Sequence, residues 1–274
     1  MHHRARKSLG QNFLIDPNIQ RRIIDAVAAR PDDHVLEIGP GLGALTHNLA
    51  GTVRHLSAVE IDRDLAARLR NTFAGRDDVT IHEADILDTP FENLTAQPDR
   101  LIVVGNIPYN ITTPIIFHLL RRNARPDRII LMVQHEVADR ITASPGTPQY
   151  GALSVGVRTV ATAERLFNVA RGCFRPVPNV DSAVLRITPL RPPPLTPAQE
   201  ADTRSLTTAA FGWRRKQLQK TLRSSAPYVL EPAAIQQLEA ATGIELHRRP
   251  ETLSPDEFIA LSRALRLLGR PTGD

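Results

Sequence analysis

The 274-residue chain contains one cysteine, Cys173, which excludes an internal disulfide and leaves no thiolate cluster for structural zinc or an iron–sulfur centre. A lone cysteine is most often a small core residue. No uninterrupted apolar run reaches membrane-spanning length. The 42% hydrophobic residues are therefore expected to build a core in water, with no membrane partner. The basic start MHHRARKSLGQNF is followed by neither an apolar h-region nor a small-residue cleavage site, so the expected location is the cytoplasm. Internal repeats are missing, and biased composition is confined to the prolines of LRPPPLTP. HEVAD lacks the second histidine of the zinc-protease pattern, because Asp139 stands in its place. No metal is expected.

Charge is distributed unevenly. Lys and Arg outnumber Asp and Glu by 34 to 29, a net +5, which permits an anionic partner without demanding one. Arg4, Arg6 and Lys7 stand together near the start, and WRRKQLQKTLR carries Arg214, Arg215, Lys216, Lys220 and Arg223 with no acid between them. Such a run is either a solvated helix face or a polyanion site.

The length suits one larger and one smaller domain. Asp16 before Pro17, with Ile19, Ile23 and Val27 at helical spacing, predicts a leading helix. Then HVLEIG, HLSAVEI, VTIHEA, LIVVG and IILMVQ alternate with helical or loop segments, which predicts an α/β fold with a parallel sheet covered on both faces. YGALSVGVRTV and SAVLRITPL read as two late strands closing the sheet with an antiparallel edge. Residues 190–197 form a proline-rich linker between a domain at 1–189 and a helical domain at 198–274. In the latter, Thr196 with Gln199 and Ser254 with Glu257 fit the capping box, and Gly243 fits a helix stop.

VLEIGPGLGALT places Gly39, Gly41 and Gly43 on the first strand-to-helix turn, where a ligand needs close approach to the backbone. Gly39, Gly41 and Ala44 also satisfy the dinucleotide pattern, so a dehydrogenase passes this test. Glu60 ends the second strand, where an acid holds ribose hydroxyls, Asp85 ends the third, where a carboxylate accepts from an adenine amine, and Asn106 ends the fourth. Ligands of open parallel sheets sit at the carboxyl ends of strands, so these side chains are expected to converge on one crevice. Each carboxylate alone would be explained as a helix cap.

GNIPYN, residues 105–110, is an unusual exit from a sheet. The exocyclic amine of adenine is a poor nucleophile, because its lone pair is delocalised into the ring, and it has two hydrogens to donate. Asn106 offers a side-chain carbonyl, and Ile107 offers a backbone carbonyl whose direction is restricted by Pro108. Tyr109 offers a ring on which a flipped base stacks. A structural turn with Tyr109 as packing is the plain alternative.

These residues resemble the ribosomal RNA adenine N6,N6-dimethyltransferases. The resemblance runs the length of the chain through GQNFLID, EIGPGLGALT, VEIDRDLAARL, GNIPYNITTPIIFHLL, YGALSV, FRPVPNVDSAV and AFGWRRKQLQKTL. It implies a Rossmann-like fold that binds S-adenosylmethionine, with a small helical domain that binds rRNA. The implied activity is dimethylation of two adjacent adenines near the 3′ end of 16S rRNA in the small ribosomal subunit; a monomer is the default expectation. It implies cofactor contacts from Asn12, Leu14, Gly39, Gly41, Glu60, Asp85 and Asn106, a target-base site of Asn106 to Tyr109, and Phe174 as a second aromatic against the base. From the residues alone, Asn12 would be a turn former and Phe174 core. His135 stands where many relatives carry lysine. A large-subunit methyltransferase and a binding-only assembly factor share enough of these features to stay open.

Overall fold

The computed structural model describes residues 5–6, 9–90, 93–95, 97–120, 125–213 and 215–269. Arg4, Lys7 and Arg214 lie outside the described residues. In chain order the elements begin with β1 (Phe13–Leu14), α1 (Pro17–Val27), β2 (His34–Ile38), α2 (Thr46–Leu49), β3 (His55–Glu60), α3 (Arg63–Thr72) and β4 (Val79–Glu83). Next come β5 (Ile102–Asn106), α4 (Thr112–Leu120), β6 (Arg128–Gln134), α5 (His135–Thr142), α6 (Ala152–Arg158), β7 (Ala161–Val169), β8 (Phe174–Arg175) and β9 (Ser182–Pro189). The chain continues with α7 (Pro197–Gly212), α8 (Leu218–Ser224), α9 (Pro232–Thr242) and α10 (Pro255–Leu267).

A seven-stranded sheet in the order β4-β3-β2-β5-β6-β9-β7 forms the first unit. The five strands expected from apolar runs are all present and mutually parallel. Val35, Leu36, Val103, Val104, Ile130 and Leu131 are buried, as a sheet covered on both faces requires. The chain runs outward from β2 through β3 to β4, then returns to place β5 on the other side of β2. That reversal makes the switch point at which α/β sheets bind ligands. β9 joins β6 antiparallel, with Ser182 opposite Gln134.

Two expectations are corrected. YGALSVGVRTV is not a strand; its core is α6, where Leu153, Ser154, Val155 and Val157 are buried together. Burial on most sides erases the period that separates helix from strand. The missing late strand is β7, ATAERLFNV, whose polar residues include Glu164 paired with Arg186 at 2.9 Å. Polar content suits its place at the edge of the sheet.

The second correction concerns the boundary. The chain divides into residues 1–138 with 163–189, and residues 139–162 with 190–274. The break at 189/190 coincides with the start of the proline-rich segment, but 139–162 belongs to the helical unit. Tyr150 and Val155 sit in one core with Leu206, Leu222, Leu238, Phe258 and Leu261, and the Tyr150 hydroxyl donates to Leu253 O at 2.7 Å. The helix ends follow the sequence signals. Asp16 Oδ1 caps α1 through the Asn18 and Ile19 amides, Thr196 and Ser254 form capping boxes on α7 and α10, and Gly243 ends α9 with φ 68°.

Candidate active site

A crevice opens at the carboxyl ends of β2, β3, β4 and β5. Gly39, Gly41, Glu60, Asp85, Asn106, Ile107, Pro108 and Tyr109 all line it, with Asn12 and Leu14 from the N-terminal segment. One wall is the glycine turn, with Gly39 at φ 65° and Gly41 at φ 60°. A Cβ on Gly41 would stand 3.1 Å from the Phe13 ring, so both conformation and space call for glycine there. Gly105 is constrained differently. Its Cβ would meet Ile38 O at 2.7 Å, so glycine lets the neighbouring strands β5 and β2 carry the Asn106 turn.

Glu60 is held from two sides: the Gly41 amide donates to Oε2 and the Asp62 amide to Oε1, each at 2.9 Å. Burial raises its pKa above the usual carboxylate range, while those backbone donors offset part of the effect. Each oxygen keeps a further acceptor direction. Asp85 Oδ1 accepts from the Leu87 amide at 2.9 Å in a turn and not as the cap of an α-helix, since none lies between β4 and β5 among the described residues, and the same residue lines the crevice.

Asn106 is oriented by the N-terminal segment. Its Nδ2 donates to Asn12 O at 2.9 Å, which commits the amide nitrogen and leaves Oδ1 as the acceptor. The Asn12 side chain donates to Gly10 O, bending the segment beside the loop that Pro108 opens. Tyr109 Oη lies 2.6 Å from Ser182 Oγ. Burial raises the phenol pKa, partly offset by the Ser182 hydrogen bond, so the ring stays neutral and fixed.

Phe174 does not reach the crevice. It is fully buried in the core with Leu14, Ile23 and Val184, because β8 pairs with β1 and sets Phe174 opposite Leu14. In this structure it offers no face to a base. Arg6, grouped with Arg4 and Lys7 in the sequence, is ion-paired: its guanidinium lies 2.5 Å from Asp64 and 3.4 Å from Asp62. Asp62 also accepts from Gln11 Nε2 at 2.9 Å. Burial alone would raise the Asp62 pKa, but the hydrogen bonds from Gln11, Asp64 N and Leu65 N and the Arg6 charge outweigh it and hold the carboxyl low.

Glu37, Ile61 and Ile86 are among the lining residues that the sequence did not single out. Glu37 is buried in β2, with Oε2 lacking a hydrogen-bond partner. Burial pushes its carboxyl up to about 7, which Thr46 beside it offsets only in part. Its signal was an acid inside the otherwise apolar VLEI. Ile61 and Ile86, directly after Glu60 and Asp85, also line the crevice, and Ile61 is 50% exposed. An apolar residue left open beside two ligand-facing acids marks a place for a flat ring. His135 opens α5; its Nε2 lies 3.2 Å from Arg165 NH1, where it accepts.

Arg215, Lys216, Lys220 and Arg223 are exposed in the helical unit, and no ion pair engages them among the described residues. Among the described residues no helix is long and apolar enough to cross a membrane.

The sheet order, the glycine turn and acids at successive strand ends define the Rossmann-like, S-adenosylmethionine-dependent methyltransferase class. Within it, the family model for ribosomal RNA adenine dimethylase matches residues 2–264, and the chain belongs to that family. It is 46% identical to ribosomal RNA small subunit methyltransferase A of Geobacter metallireducens, over 97% of both chains. It is 45% identical to the protein of the same name from Aromatoleum aromaticum, over 95% of this chain and 94% of that one. Among solved structures it resembles a dimethyladenosine transferase from Plasmodium falciparum, with TM-score 0.78 and 24% identity over 95% of this chain and 100% of that one, a likeness of fold. It also resembles the 23S rRNA methyltransferase ErmE, with TM-score 0.70 and 29% identity over 93% of this chain and 100% of that one.

Proposed function

We propose that the chain dimethylates the N6 amines of two adjacent adenines near the 3′ end of 16S rRNA in the small ribosomal subunit, as a cytoplasmic monomer using S-adenosylmethionine. The observation that carries this reading is the Asn106 amide, whose nitrogen is tied to Asn12 O while its oxygen faces the crevice chemistry as an acceptor.

The lining fits the cofactor. Glu60 keeps acceptor directions for ribose hydroxyls, Asp85 provides a carboxylate for an adenine amine, and the left-handed glycines admit a ligand close to the backbone. The unpartnered buried Oε2 of Glu37 suits a cationic group. When bound, S-adenosylmethionine supplies a methyl group activated by its sulfonium. Asn106 Oδ1 and Ile107 O accept the two hydrogens of the target amine, which favours a tetrahedral nitrogen with its lone pair available. As that nitrogen gains positive charge, both acceptors bind it more strongly than they bound the neutral amine. Tyr109 holds the unstacked base. After loss of a proton to water, the methylated amine still has one hydrogen for an acceptor, so the same residues serve a second transfer.

The small-subunit assignment is supported by relatives of that name at 40–46% identity, against 29% for ErmE. Arg215, Lys216, Lys220 and Arg223, with Arg214 of the same run, serve as phosphate contacts.

Labelled methyl transfer to small subunits lacking the modification, with primer extension to map the site, tests the reaction. Label on paired adjacent adenines is expected, lost in Asn106→Ala. Transfer to large-subunit RNA instead would overturn the substrate. Replacing Arg215 and Lys216 by Ala should reduce the salt slope of RNA binding by about 2; an unchanged slope would remove the phosphate role.

A further inference from the structure

We infer that Trp213 is a stacking platform for an unpaired nucleobase of the RNA held by the surrounding cations. This rests on the RNA-binding reading above and extends it from phosphates to bases. Trp213 ends α7 as its C-cap and is the chain's single tryptophan. It is 53% exposed, and it is the one aromatic among the exposed large hydrophobic residues described. The phenylalanine and tyrosine rings of this unit are packed away: Tyr150, Tyr228 and Phe258 are buried, and Phe211 packs between Tyr150 and Phe258. A unit able to bury its rings leaves the largest one in water.

The turn after α7 fixes what lies beside the indole. Lys216 N–H donates to Trp213 O at 2.8 Å, and the Lys216 ammonium sits 5.1 Å from the ring centroid. No second ring or cation contacts the indole among the described residues. Between Asp202 and Glu231 the sequence has no acidic residue, and Asp202 is itself paired with Arg266 at 2.7 Å. The patch thus combines uncompensated positive charge with one flat aromatic surface, the pairing that single-stranded nucleic acid fits. A membrane surface would ask for a row of exposed apolar residues on an amphipathic helix. The apolar residues of α8, Leu218 and Leu222, are buried instead. Every base has a π-face, so the platform selects unpaired over paired RNA without reading sequence.

Because Trp213 is the only indole, its fluorescence reports on this site alone. Titration of the full chain with single-stranded oligoadenylate should quench it saturably, whereas inorganic polyphosphate and duplex RNA should quench it little. Trp213→Ala should weaken oligoadenylate binding about tenfold while leaving the salt slope intact, and Trp213→Phe should restore part of the affinity. Equal quenching by polyphosphate, or unchanged affinity in Trp213→Ala while Arg215→Ala/Lys216→Ala still flattens the slope, overturns the platform and spares the RNA reading. A slope unaffected by the arginine and lysine changes overturns both. Stronger binding and quenching by anionic phospholipid vesicles would replace RNA by a membrane surface.

Discussion

The two ends of an asparagine amide have almost the same shape and opposite hydrogen-bonding character, so Asn106 works only if something distinguishes them. Asn12 O does so. Asn106→Asp would set a carboxylate against that carbonyl and is expected to cut methyl transfer by about 10²-fold or more, with RNA affinity retained, as labelled-transfer and binding assays would read. Glu37 makes a second residue-level prediction. Its folded pKa of about 7 exceeds the model-compound value of 4.5, so the folded ligand-free chain binds the proton more tightly than the unfolded one. Stability is then full below about pH 4.5 and falls as pH rises to about 7, by roughly 3 kcal/mol from this group. Urea unfolding at pH 5 and pH 8 should show that fall in the ligand-free protein and a much smaller one in Glu37→Gln. Glu60 shifts in the same direction and leaves the variant a residual slope. Asn106 and Glu60 were legible in the sequence because each is the last residue of an apolar strand; Asp85 lies two residues beyond the end of β4 at Glu83 and was legible from its place in the strand succession. Glu37 was not, because a buried acid within a strand is visible only once both covering layers are known.

At the level of elements, Gly105 links packing to chemistry. A methyl group there would press on Ile38 O at 2.7 Å, a backbone atom that cannot swing aside. Gly105→Ala should therefore cost roughly 1–3 kcal/mol of stability, read as a lower urea midpoint, and should reduce transfer through displacement of Asn106. The five parallel strands and the helices with side-chain caps were readable because each carries a local signal: a run of branched apolar residues, Asp16 with Pro17, or Ser254 with Glu257. α6 and β7 were not readable. The former is apolar on most sides because it packs on residues far along the chain, and its N-cap is glycine, Gly151, whose amide donates to Ser154 Oγ while that hydroxyl donates in turn to Arg140 O in a short hydrogen bond. The latter has the mixed polarity of a sheet edge, which period alone does not separate from a loop. Phe174 shows the same limit, since its burial depends on β8 pairing with a segment some 160 residues earlier.

The whole molecule is built from two units of which neither is one continuous stretch. Residues 139–162 leave the sheet unit to complete the helical core, and 163–189 return. A chain cut after residue 189 should therefore be less stable than a domain of that length, because Tyr150 and Val155 lose the helical core that buries them; circular dichroism and hydrophobic dye binding would show it. Tyr150→Phe in the full chain, which removes only the bond to Leu253 O, should cost about 1 kcal/mol. The N-terminal segment has a similar reach. It lines the crevice through residues 9–14 and is clasped by Asp62 and Asp64 through Gln11 and Arg6. An inhibitor that wedges this segment away from the crevice would therefore do more than compete with the methyl donor. By freeing the Asn106 amide to turn over, it would also spoil recognition of the methyl acceptor, so blockade at one substrate site would be felt kinetically at the other.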